Sequence, residues 1–297
     1  MFAIVGAAGK VGYSTSLALR KAGMPVRAIL RDEAKAGRLR EIGCDIALAD
    51  LQDPTALGWA IANADAVQVI LPPPTQAEDA PGDMRRSIES MAMALERARA
   101  RPKRVLAISD YGAHIGDDIG MPTLFRIFEE RLRRLDMPKI FLRSAEHMEG
   151  WGTFVPMAIT TGILPSLHHP VEMDFPTVSA ADVGLMAADL LLGPSGGTDV
   201  QIVHAEGPRR YSAADVAAVL SQLLGRTITA QALPRAQWQE SLERVVSAST
   251  TKLLIDLYVA HNTGGLIDVE PDGEVRYGAA TLIDALRPLV PAAVGLD

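Results

Sequence analysis

The chain has 297 residues, 48% of them hydrophobic and 22% charged, with a formal net charge of −7. Such a balance suits a globular protein with one large core or two cores sharing a seam, and it leaves no basic stripe for a nucleic-acid backbone. A single cysteine, Cys44, excludes an intrachain disulfide framework and points to the cytoplasm, and no apolar run approaches the roughly 18–20 residues of a membrane span.

Met1 leads directly into an apolar run without a basic n-region, so no leader is expected. Short β-branched runs then alternate with longer helical patterns. The strand-like runs are FAIV (2–5), VRAIL (26–30), CDIALA (44–49), AVQVIL (66–71), RVLAIS (104–109) and KIFLR (139–143). Helices are predicted near residues 10–22, 33–42, 54–63, 83–101 and 122–135. Asp53 before Pro54 supplies a capping carboxylate and a proline at the first helical position. Mostly uncharged strands separated by amphipathic helices predict an α/β fold, a Rossmann-type doubly wound parallel sheet buried on both faces.

The pattern changes after Arg143. Residues 144–176 carry Gly150, Gly152, Pro156, Gly162, Pro165, Pro170 and Pro176, too many breakers for long regular elements. A helix capped by Ser179 is predicted over 179–192, a strand over 199–205, and a helix over 216–225 stopped by Gly225. Residues 1–143 plus 177–205 are therefore expected to form the sheet domain. Residues 144–176 plus 206–297 are expected to form a smaller, mainly helical C-terminal lobe for a substrate or partner.

Gly6, Gly9 and Gly12 stand between the first strand and the first helix at spacing G-x-x-G-x-x-G. A tight turn there aims backbone N–H groups at one spot, where the helix dipole adds positive charge. Gly6 is expected to make the turn, Gly9 to let a phosphate approach, and Gly12 to let the helix touch the sheet. Together with Ala8, Lys10 and Val11 they read as a seat for a dinucleotide pyrophosphate. A glycine-rich turn that merely packs is the plainer alternative. At the end of the second strand AILRDEAK places Arg31 first, helped by Lys35 or Lys10, which favours the 2′-phosphate of NADP(H) over NAD(H). Asp32 is read as the cap of the following helix.

Other strand ends face the same crevice. Asp50 and Leu51 are expected beside the adenine, and Leu71 and Pro72 open LPPP (71–74), a stiff rim where the ladder must stop. The fifth strand runs into SDYGAHIGDDIG (109–120), which puts Ser109, Tyr111, His114 and flexible glycines where a small substrate would lie.

The segments GAAGKVG (6–12), RAILRDEAK (27–35), ADLQDPTAL (49–57), LRSAEHMEG (142–150) and GPRRYSAADVAAVLSQLLGR (207–226) together resemble the NmrA-like, atypical branch of the short-chain dehydrogenase/reductase superfamily. The resemblance covers nearly the whole chain. It implies a Rossmann-type domain, an NADP(H) preference, and either reduction of a quinone or isoflavone-type substrate or nucleotide-dependent regulation of a protein partner. Where quinone-reducing relatives usually carry a threonine-rich stretch, this chain has RYGAATLIDAL (276–286).

The superfamily's reductases hold a Tyr-x-x-x-Lys pair on the helix after the fifth strand. Here PTLFRIFEERLRR (122–134) puts Phe125 and Glu129 at those positions. Phe125 has no proton to give. Glu129 is expected, with Ser109, at the inner ribose. A quinone takes hydride without a strong protein acid, so the missing pair counts against carbonyl reduction more than against quinone reduction. Tyr111, and after it His114 and His147, are the candidate proton donors. The expected function is hydride transfer from NADP(H) to a quinone or similar electrophile; the rival is a redox sensor that binds the dinucleotide and signals to a protein partner.

Other signals fail on inspection. DVEPDGE (268–274) would need a glutamate where Ala279 stands, so Asp272–Gly273 reads as a turn rather than a calcium loop. His168–His169 lack a spaced partner, so no metal site is expected. Cys44 reads as a small core residue.

Overall fold

Phe2–Val5 (β1) is buried along its whole length, inside an eight-stranded sheet of a computed structural model that describes residues 1–194 and 199–291. Residues 195–198, within the stretch expected to join the sheet domain, and 292–297, at the end of the expected lobe, lie outside the described residues. The chain continues through α1 (Lys10–Lys21), β2 (Val26–Leu30), α2 (Gly37–Glu41), β3 (Asp45–Leu48), α3 (Pro54–Ala60), β4 (Ala66–Ile70), α4 (Ala80–Arg97), β5 (Arg104–Asp110), α5 (Met121–Arg133) and β6 (Lys139–Ser144). Then follow β7 (Glu146–His147), α6 (Val155–Thr161), β8 (Ile163–Ser166), β9 (Thr177–Val178), α7 (Ala180–Leu192), β10 (Val200–Glu206) and α8 (Ala213–Leu224). The last elements are β11 (Thr229–Ala232), α9 (Trp238–Glu243), α10 (Ala248–Asn262), β12 (Glu274–Tyr277) and α11 (Leu282–Leu286).

The sheet order is β12-β10-β6-β5-β4-β1-β2-β3, and every neighbouring pair is parallel. The chain winds outward from β1 through β2 and β3, then returns to lay β4 on its other side. That reversal opens a crevice at the carboxyl ends of β1 and β4, the place where doubly wound sheets take ligands. Helices cover both faces, and each face has its own apolar core.

Local signals hold where caps were read. Asp53 accepts from the N–H groups of Thr55 and Ala56 at 2.9 and 3.0 Å. Ser179 accepts from Ala181 at 3.2 Å, and Gly225 ends α8 in the left-handed region at φ 64°. Cys44 is a buried free thiol. Two helices differ from expectation. The stretch 33–42 breaks into a 3-10 turn, Glu33–Lys35, and the short α2, because Asp32 caps the turn and Gly37 starts a new helix. α4 begins at Ala80 rather than 83, since Asp79 before Ala80-Pro81 supplies the same cap-and-proline signal as Asp53-Pro54.

Residues 148–175, 211–228 and 282–286 share a separate core around Trp151, Phe175, Tyr211, Leu220 and Leu286. Here β8 pairs with β11 and β7 with β9. Within the stretch assigned to the lobe, β12 joins the main sheet as an edge strand on β10. The turn before it places Asp272 at φ 60°. Helix α1 is braced from behind by α7. A Cβ on Gly184 would lie 2.5 Å from Ser14 Cβ and from the Val11 carbonyl, and Ser14 Oγ donates to the Ala181 carbonyl at 2.7 Å. The helix whose N-terminus faces the crevice is thus fixed in position.

Candidate functional site

The three opening glycines answer to three different demands. Gly6 sits at φ +72°, which side chains rarely adopt, and its N–H donates to the Ile29 carbonyl at 3.0 Å. A Cβ on Gly12 would meet the Gly6 oxygen at 2.5 Å, so α1 packs directly on the turn. Neither reason applies to Gly9. Its backbone is ordinary (φ −74°, ψ 165°), and a Cβ would meet nothing nearer than the Gly6 oxygen at 3.5 Å. Folding permits a side chain there; the open face of the turn is what glycine preserves.

That face carries unanswered donors. Gly9 is the N-cap of α1 and offers no side-chain cap. The amides of Lys10, Val11 and Gly12 have no acceptor one turn back within the helix, and the dipole adds to their pull on an anion. Ala8, Gly9 and Lys10 are exposed. Around them stand cations with no acidic partner among the described residues: Lys10, Arg31 and Lys35 are absent from every ion pair there. Asp32 leaves Arg31 free because its Oδ1 accepts from Ala34 N–H at 2.9 Å, as a cap.

Along the rim, Asp50 Oδ1 accepts from Gln52 N–H at 2.8 Å and so shapes its own turn, with Leu51 half-buried behind it. Leu71 is buried and Pro72 is exposed. The proline run is tied to α10, where Thr250 Oγ1 donates to the Pro74 carbonyl at 2.7 Å and Ser247 N–H donates to the Thr75 carbonyl at 2.8 Å.

Beyond β4 the structure redistributes the expected roles. Ser109 and Glu129 were expected at a ribose; both are buried and turned to one another, with Ser109 Oγ donating to Glu129 Oε1 at 2.7 Å. Arg143 Nε and Nη2 fill the same carboxylate at 2.8 Å each, and Arg133 Nη2 adds a bond at 3.0 Å. Four donors leave Glu129 no capacity for a sugar hydroxyl. Phe125 lies in the core between sheet and α4–α5. Tyr111 is 2% exposed and donates its hydroxyl to Glu206 Oε1 at 2.7 Å. Burial and that carboxylate push the phenol far above its ordinary range, with its proton engaged by Glu206. His114 turns its Nδ1 to the Tyr111 carbonyl at 3.1 Å, and His147 turns Nε2 to Ser144 Oγ at 3.0 Å. Burial holds His147 below the usual histidine range, against the raising charges of Glu149 and Glu146, and nearby Lys10 adds to the lowering.

The group that residue-by-residue reading passed over is Asp110, the last residue of β5. One oxygen accepts from Gly112 N–H at 3.0 Å. Burial raises its pKa to about 6; the Gly112 bond and Arg143 oppose the rise, and the charges of Glu146 and Glu129 assist it. Only its neighbours' hydroxyls, histidine and glycines drew notice in SDYGAHIG, since a strand-end aspartate reads as a turn former. Glu146 goes the opposite way. Burial works against its charge, yet His168, His261 and His147 hold it below the usual carboxylate range. Two carboxyl groups near the same strand ends are thereby driven apart, the arrangement that separates an acid from a standing anion.

A hollow of about 420 Å³ lies beside α3 and the edge strand β3, lined by Arg27, Leu48 and Trp59. It has no titratable group but Arg27 and is no candidate for chemistry. No helix among the described residues is long and apolar enough to cross a membrane.

Residues 6–134 match the model of an NAD(P)H-binding family. Among characterised proteins, the NAD(P)H azoreductase of Xenophilus azovorans is 25% identical over 244 residues, 82% of this chain and 80% of the relative. An NADPH-dependent quinone oxidoreductase from Escherichia coli, solved with NADPH, superposes over 97% of this chain and 99% of its own with a TM-score of 0.78 at 22% identity. The triphenylmethane reductase of Citrobacter sp., solved with NADP(H), does so over 97% and 99% with a TM-score of 0.79 at 17% identity. The chain thus shares the Rossmann-like α/β fold of these reductases, and its residues 6–134, which hold the glycine turn, match an NAD(P)H-binding family.

Proposed function

We propose that the protein is an NADP(H)-dependent oxidoreductase that reduces a quinone or similar small electrophile by hydride transfer. Gly9 carries this reading: it is glycine where neither torsion nor packing demands one, at the start of a helix whose first amides, those of Lys10, Val11 and Gly12, have no acceptor one turn back. A pyrophosphate on Ala8 to Gly12 uses both features. Arg31, with no acidic partner among the described residues, suits a 2′-phosphate together with Lys10 and Lys35 and favours NADP(H) over NAD(H). Asp50, Leu51, Leu71 and Pro72 would border the rest of the dinucleotide.

The nicotinamide, when bound, supplies the hydride; the chain's own groups do the rest. Asp110 would hold the proton that the reduced electrophile takes up, since its surroundings keep the carboxyl protonated to higher pH than an exposed aspartate. Glu129, Ser109 and Arg143 brace the ends of β5 and α5, and the lobe core around Trp151 closes the substrate side. In this scheme residues 1–143 and 177–205 bind the dinucleotide, while residues 144–176 and 206–297 face the substrate, with β12 reaching back to the sheet. The buried free thiol of Cys44 suits a cytoplasmic setting.

Anaerobic oxidation of NADPH over a panel of quinones tests the proposal. Turnover that is lost with Gly9→Asp supports the enzyme. Tight dinucleotide binding with no turnover on any acceptor would replace it with a sensor that reports to a protein partner.

A further inference from the structure

Three distant segments bring Glu146, His168 and His261 together at the end of β6 and beside α10. Glu146 Oε2 lies 2.8 Å from His168 Nε2 and 4.0 Å from His261 Nε2. One donor atom of each residue falls within 4.8 Å of the other two. We infer that these side chains form a binding site for one divalent transition-metal cation of the borderline class, Zn²⁺ or Co²⁺, separate from the glycine turn.

Geometry supports the inference first. Bonds of about 2.0–2.2 Å from zinc to imidazole nitrogen and carboxylate oxygen place tetrahedral donors roughly 3.3–3.6 Å apart. The observed separations straddle that value, so opening the Glu146–His168 contact and drawing in His261 would complete the triangle with small side-chain movements. The rings are also held in place. His168 stacks on Phe175 with centroids 3.7 Å apart, and it meets Tyr258 and His261 edge-on at 5.0 and 5.2 Å.

Donor chemistry narrows the ion. Two imidazoles and one carboxylate suit zinc, cobalt or nickel and are a poor set for Mg²⁺ or Ca²⁺, which need oxygen shells. Beside the donors lies a cavity of about 10 Å³, lined by Glu146, His168, Tyr258, Trp151, Phe154 and Leu167, together with Gly150. That is room for about one water, which is what a three-ligand site leaves open in the fourth position.

The surroundings set the strength. His168 Nδ1 is buried and has no hydrogen-bond partner among the described residues. Metal on Nε2 obliges Nδ1 to carry the proton without an acceptor, so the usual anchoring contact is missing. Such a loss weakens a site by about 10–100-fold relative to one whose histidine is anchored.

The test uses the full-length, untagged protein, stripped of metal and titrated with CoCl2 and ZnCl2 without any dinucleotide. The inference expects one equivalent of Co²⁺ with the visible absorption of a four- or five-coordinate ion, displaced by Zn²⁺ and untouched by Mg²⁺ or Ca²⁺. Glu146→Gln and His261→Gln should each weaken binding about tenfold or more. Absence of stoichiometric binding, or binding unchanged in both variants, overturns the site and leaves a hydrogen-bonded cluster. Should the variants fail to fold, X-ray absorption of the cobalt-loaded wild type decides: two imidazoles around the ion support the site, and none overturns it. Quinone reduction does not enter these measurements, so they stand apart from the proposal for the glycine turn.

Discussion

Arg143 and Glu129 form a two-pronged ion pair, with Nε on Oε1 and Nη2 on Oε2 at 2.8 Å each and both side chains 2% exposed. Glu270 meets the remaining arm of Arg143 at 2.5 Å, which ties the loop before β12 to the same point. Glu129 is therefore the anchor of a buried guanidinium, not a substitute for the superfamily's lysine. Arg143→Ala strips that buried carboxylate of its two-pronged partner and leaves it only Ser109 and the part-exposed Arg133, and should cost about 3 kcal/mol in chemical denaturation. Replacing both partners, Glu129→Leu with Arg143→Met, should recover most of the loss. A single variant costing less than about 1 kcal/mol would contradict the pairing.

Asp110 links stability to pH. Its folded pKa of about 6 lies above the roughly 3.9 of an unfolded aspartate, so the folded state binds the proton more tightly. The resulting penalty is absent below pH about 4, grows through pH 4–6 and is complete above that window. Asp110→Asn keeps the contact with Gly112 and removes the penalty. The variant should gain on the order of 1–3 kcal/mol over wild type at pH 7 and nothing at pH 4, as thermal melts at the two pH values would show.

The same substitution reports on the reaction. Wild-type kcat with a quinone should fall as pH rises through about 6, and Asp110→Asn should lower kcat about tenfold and flatten the profile. The drop lies below the usual range for a lost acid because a quinone's reduced oxyanion is only weakly basic. A flat wild-type profile with unchanged kcat in the variant would remove Asp110 from the chemistry.

Cofactor choice rests on Arg31. Among the described residues its guanidinium has no carboxylate partner, because Asp32 caps its own turn instead. Arg31→Glu should raise the Kd for NADPH by about 10–30-fold, the equivalent of one charge-assisted hydrogen bond, and change NADH binding little. Fluorescence titration with both dinucleotides measures this. Equal affinity of the wild type for NADH and NADPH would defeat the assignment.

What the sequence disclosed follows from how local each signal is. The alternating strands and helices, the caps at Asp53 and Ser179 and the stop at Gly225 are written within a few residues, and all were legible. β12 was missed because EVRY (274–277) alternates charged and uncharged residues, as an edge strand tolerates, and forms no apolar run. The helix expected over 33–42 failed because a cap and a glycine within five residues favour a turn and a fresh start. At the site, the glycine turn was visible as spacing. The engagement of Glu129 by Ser109 and Arg143, and the meeting of Glu146 with His168 and His261, depend on contacts between distant elements that no spacing announces. Tyr111 looked available for the same reason: its partner Glu206 lies 95 residues away.

The central claim is that the open face of the first turn receives a dinucleotide pyrophosphate, and Gly9 tests it without disturbing the fold. Titration calorimetry of NADPH should give saturable one-to-one binding to wild type and no measurable binding to Gly9→Asp, with both proteins melting cooperatively at similar temperatures. Failure of folded wild type to bind NADPH or NADH at millimolar concentration, or undiminished binding by Gly9→Asp, would contradict it.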